Sequence, residues 1–134
     1  VRPALSLGFF GLFGRSASLR AFDGALRSVD LHPKLVPEAI KLTAVRMLID
    51  QTARDDPGSE ATRAAAEIIA YCMIGAEGFA GANGIKLTEA VEQRIDAALA
   101  TGTSLDARLV LLTLHAKVIQ LSVVDHFKLE VASD

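Results

Sequence analysis

Apolar residues recur at helical spacing along most of this chain, and only the short tail Phe127-Lys128-Leu129-Glu130-Val131 alternates in strand fashion. The strongest pattern runs from Leu105 to Phe127. Leu105, Leu109, Leu112, Ala116, Ile119 and Val123 form one stripe, and Val110, Leu111, Leu114, Val118, Leu121 and Val124 form a second. A helix that is apolar on nearly all sides has to be wrapped by other helices or by a partner subunit. The spacing therefore predicts a long fifth helix at the centre of an all-α bundle.

Four shorter helices are predicted before it. The first runs from Ser18 to Asp30 with Leu19, Phe22, Leu26 and Val29 on one face; Leu31-His32-Pro33 stops it, because the residue before a proline is pushed out of the α region. The second starts at Pro37 and ends near Gln51, with Ile40, Ala44, Met47 and Leu48 facing inward. Its other side carries Leu42, Val45 and Ile49 among charged residues, a surplus of apolar surface that suits a partner contact. Arg54-Asp55-Asp56-Pro57-Gly58 is a turn by composition, and Ser59 caps a third helix reaching Ile74. Gly75, Gly78, Gly81 and Gly84 then recur every third residue and predict a flexible interhelical loop. Thr88 caps a fourth helix to Ala100, Gly102 ends it, and Thr103 with Asp106 resembles a capping box opening the fifth.

Ahead of this bundle, assigned to residues 16–134, lies a hydrophobic arm over residues 1–15. Leu5–Phe13 holds three Leu and three of the six Phe residues, Phe9, Phe10 and Phe13. Gly8, Gly11 and Gly14 make it a poor independent helix. Such an arm packs onto the bundle, inserts into a partner's groove, or touches a membrane surface. The last use lacks its usual belt of basic residues, with Arg2, Arg15 and Arg20 alone nearby. The arm also lacks the cleavage signature of a secretory leader.

Composition narrows the class. At 134 residues the chain fits one domain with a core of its own, and 51% hydrophobic content argues against disorder. With no Trp and one Tyr, the core must be built from Leu, Ile, Val and Ala, a palette suited to close helix packing. A net charge of −2 removes the polycationic footprint expected of a nucleic-acid binder. The apolar run in the fifth helix is interrupted by His115, Lys117 and Gln120, so no membrane-spanning segment is expected. A single cysteine, Cys72, points to a reducing, cytoplasmic setting.

Candidate chemistry is sparse. The glycines form no G-x-G-x-x-G between a strand and a helix, and no Gly-Lys-Ser/Thr follows them. His115 interrupts the most apolar helix, yet no second metal-ligand residue stands three or four positions away. No cofactor and no metal site are expected. Cys72 reads as a small buried hydrophobe, and Glu92 with Asp96 as a solvated pair. The reading that follows is a non-enzymatic interaction or regulatory module, self-associating or bound to a protein partner through Phe9, Phe10, Phe13, Leu42, Val45 and Ile49. The alternative is a small-molecule-binding protein or enzyme with an apolar pocket near His115, closed by Gly78, Gly81 and Asn83.

Overall fold

The computed structural model of the chain describes residues 17–130, and these are helical throughout apart from turns and caps, with no strand among them. The helices are α1 (17–28), α2 (Glu38–Thr52), α3 (Ser59–Ile74), α4 (Ala76–Asn83), α5 (Ile85–Thr101), α6 (Leu105–His115) and α7 (Leu121–Phe127). One 3-10 turn, Pro33–Leu35, lies between α1 and α2, where His32 Nδ1 accepts from the Lys34 amide. The all-α expectation holds, with more and shorter helices than the apolar pattern suggests.

α3 forms the centre. It packs against α2, α4, α5 and α6, and Ile68 through Cys72 are five consecutive residues with no exposed surface. Its Ala64, Ala65 and Ala66 let neighbouring backbones come close, so the helix can be surrounded without large side chains on every face. α1 and the turn after it bring Phe22, Leu26 and Val29 into the same core, and α5 brings Val91 and Ile95.

The long fifth helix is not present as such. The 105–127 run divides into α6 and α7, and the chain leaves α6 through Lys117 in the left-handed region at φ 62°. The Val118 amide reaches back to the Thr113 carbonyl at 3.1 Å and the Lys117 amide to that of Leu114 at 3.1 Å, the paired bonds of a Schellman motif. No glycine or proline marks the place. What offsets the left-handed lysine is tertiary: the redirected chain carries Val118 and Ile119 onto the core. Gln120 then closes the end of α3, its amide donating to the Cys72 carbonyl at 2.8 Å and its Nε2 to that of Met73 at 2.9 Å. Division also corrects the all-round burial. Leu109, Val110 and Val123 are buried, whereas Leu121 is 76% exposed.

The glycine-rich stretch is likewise not a loop. Gly75 and Gly84 are its punctuation, at φ 91° and 93° with extended ψ, a region essentially closed to residues with a Cβ. Between them α4 runs for two turns, and its Phe79 is fully buried edge-on to Tyr71 at 5.8 Å between ring centroids. Gly75 is also a close approach, since a Cβ there would meet Ser122 Oγ at 3.3 Å. Three caps shift. Gly58, not Ser59, precedes α3, Gly84, not Thr88, precedes α5, and Ser104, not Thr103, caps α6 by accepting from the Ala107 amide at 3.2 Å.

Candidate docking groove

Beside the inner face of α1, which carries Phe22 and Leu26, runs a strip of small residues. Ala17, Ser18 and Ala21 face the turn that joins α2 to α3 and the first turn of α3 itself. Between them lies a hollow of about 400 Å³ lined by these three residues, Asp55, Asp56, Pro57, Gly58, Ser59 and Thr62. It continues along α1 into a second hollow of about 220 Å³ that adds Ala25, Ser28 and Arg63, and the two share Ala21, Ser59 and Thr62. The result is one groove between α1 and α3, with Ala, Ser and Thr along its walls and two carboxylates at one end. Local bonds hold that end in shape. Ser18 Oγ donates to the Asp55 carbonyl at 2.8 Å, and the Gly58 amide donates to Asp56 Oδ1 at 3.0 Å.

A separate cleft of about 240 Å³ opens between α4 and α7 over the end of α3, lined by Tyr71, Ala76, Glu77, Ser122, Val123 and His126. Tyr71 closes its base. The phenol donates to Glu92 Oε2 at 2.7 Å, and burial, reinforced by the Glu92 carboxylate, pushes its ionisation well above the usual tyrosine range. Burial also pushes the adjacent Cys72 thiol up to about 12, against a smaller opposing effect from a hydrogen bond with Thr113.

Other polar groups are engaged with one another. Arg94 binds both Asp106 oxygens, Glu67 Oε1 at 2.9 Å and the Ala64 carbonyl at 3.0 Å, pinning α5 to α3 and α6. Lys41 reaches from α2 to Asp23 at 3.1 Å. Among the described residues no buried side-chain polar atom lacks a partner, and no cluster of three or more His, Cys, Asp or Glu could hold a metal ion.

The residues singled out from the sequence do not converge on one place. His115 is exposed at the end of α6 and lines none of these hollows. Gly78 and Gly81 are exposed on α4, while half-buried Asn83 donates to the Val29 carbonyl at 3.0 Å and so ties α4 to the end of α1. The expected glycine loop is therefore corrected: Gly78, Gly81 and Asn83 lie on a helix, and the histidine lining the cleft beside it is His126. Val45 has no exposed surface and belongs to the core, which removes it from any surface stripe; Leu42 and Ile49 are half-buried. Phe9, Phe10 and Phe13 lie outside the described residues. Sequence reading missed the groove, although Ala17, Ala21, Ala25 and Ser28 recur at helical spacing beside the apolar face. It also missed that Glu92 holds Tyr71.

Fold and groove together define an all-α helical body with a small-residue groove on its surface. No family model, curated protein or solved structure matches this chain. Among the described residues no single helix is long and apolar enough to cross a membrane.

Proposed function

We infer that this protein is a non-enzymatic helical interaction module that self-associates. The α1–α3 groove carries the reading. A surface channel walled by Ala, Ser and Thr accepts large side chains from an apolar segment, as helix-in-groove recognition requires. The chain supplies a segment of that kind in Phe9, Phe10 and Phe13, the proposed contact residues. Leu42 and Ile49 offer only part of their surface to such a contact. The engagement of Arg94, Lys41, Glu92 and Asn83 in links between helices supports structural roles for these polar side chains.

Sedimentation equilibrium at micromolar concentration tests the reading. Self-association gives a mass that is a multiple of the 14.2 kDa chain, and a clean monomer mass overturns it.

A second reading rests on the cleft between α4 and α7, where the polar side chains of Glu77, Ser122 and His126 come together beside Tyr71. A thermal-shift screen of metabolites on the wild-type protein and on His126→Gln tests it. A stabilising compound whose effect vanishes in the variant would favour that reading over the first.

A further inference from the structure

We propose that α7 is an exchangeable arm: in a dimer the joint at Lys117 straightens, α6 and α7 become one helix, and each α7 docks on the end of α3 in a second copy of this chain. This rests on the self-association reading and names a contact for it other than the α1–α3 groove.

Local sequence at the joint favours a continued helix. Lys117 takes φ 62° although no glycine or proline stands anywhere between Leu105 and Phe127. Asp30 and Ala53, left-handed as well, are each followed by a proline, Pro33 and Pro57, that bars a continued helix. Left-handed backbone with a Cβ is strained, and straightening relieves that strain while the ladder of α6 runs on.

The seat of α7 is what holds the bend. Val123 is buried, Phe127 lies edge-on to Tyr71 at 6.2 Å between ring centroids, and Gln120 donates to the Cys72 and Met73 carbonyls. A single chain that straightened would bare Val123, Val124 and Phe127 together, which costs more than one strained residue. A lone chain therefore stays bent. Two chains escape the conflict, because each α7 finds in its partner the seat it left. Burial is kept, the Gln120 amide trades its bond to Cys72 for one within the helix, and both joints shed their strain.

Exposed side chains beside the joint support the same arrangement. Leu121 is 76% exposed and Leu111 36% exposed, two of the four exposed large hydrophobics among the described residues. The bend puts them on separate helices. In a straight helix Leu111, Leu114, Val118 and Leu121 follow one another at spacings of three and four and share a face. Two such helices crossing at a two-fold axis cover that face for each other.

Sedimentation equilibrium and chemical cross-linking of the full chain test the exchange. Lys117→Gly relaxes the bend and weakens the straight helix in both subunits, so it should loosen the dimer roughly tenfold or more. Lys117→Ala keeps the Cβ and continues a helix well, and should leave the dimer intact. Glu77 and His126 line the cleft between α4 and α7 from its two sides, and both are exposed, so a cysteine at either should leave the helical melt as in the wild type. Glu77→Cys chains and His126→Cys chains, unfolded in urea, refolded as a mixture and treated with a short bismaleimide, should give a mixed covalent dimer, with Cys72 too buried to compete. A monomer at every concentration overturns the self-association reading and the exchange together. A dimer that links only within single chains carrying both cysteines, and never in the mixture, overturns the exchange and leaves self-association standing. A dimer as tight with Lys117→Gly as without it overturns the straightened joint.

Discussion

Tyr71 and Cys72 stand side by side at the end of α3, and their burial makes two ionisations part of the folding equilibrium. A thiol ordinarily ionising near 9 is pushed up to about 12 in the folded protein, and the phenol is raised as well, first by burial and then by Glu92. Both groups bind their proton more tightly when folded. Their contribution is therefore complete below pH 9 and is lost as pH climbs through the range between unfolded and folded ionisation. Urea midpoints should fall between pH 9 and pH 11, and Cys72→Ala should flatten part of that fall. Tyr71→Phe should flatten another part while costing about 1 kcal/mol at neutral pH for the lost bond to Glu92. An alkaline fall unchanged in both variants would mean that neither group is buried as described. None of this was legible from the sequence, where Glu92 pairs by spacing with Asp96 and nothing joins it to a tyrosine 21 positions earlier.

The elements turn on left-handed residues. Asp30, Ala53, Lys117 and Lys128 all take positive φ without being glycine, and three of them, Asp30, Lys117 and Lys128, close Schellman bonds. A left-handed residue with a Cβ costs roughly 1–2 kcal/mol, part of which glycine recovers after its own chain entropy. Lys117→Gly should accordingly raise stability by about 0.5–1 kcal/mol, read from the urea midpoint at unchanged slope. A continuous helix from 105 to 127 would instead be weakened by about 1 kcal/mol, so the sign of the change separates the two descriptions. The reason the break was illegible is the same. Ala116 and Lys117 are good helix formers, and only bonds to Cys72 and Met73, more than forty residues away in sequence, decide that the chain turns there. For α4 the misreading ran the other way. Glycine every third residue disfavours a helix locally, and burial of Phe79 against Tyr71 overrides that preference.

Across the whole molecule, stability gathers around α3 and the side of α6 that meets it. Leu109→Ala should cost about 2–5 kcal/mol, the range for a cavity at a fully buried leucine. Ile119→Ala, at a half-buried turn position, should cost less. Equal losses at the two sites would place the core farther toward α7 than it is here.

The residue pattern is enough to show that the protein is all-α, to place the ends of α2 and α3 to within a residue or two, and to turn Phe22, Leu26, Ile40, Leu48, Val91 and Ile95 inward. These follow from the 3.6-residue period and from Pro and Gly punctuation, which act within a turn or two of chain. Tertiary structure alone decided which helix is central, where the last apolar run divides, that Val45 lies in the core, and that small residues on two helices meet as a groove. Each depends on contacts between segments remote in sequence, where no local period records which face will meet which. An alanine-rich helix carries a weak apolar signal, yet its thinness is the physical reason four other helices can close around it.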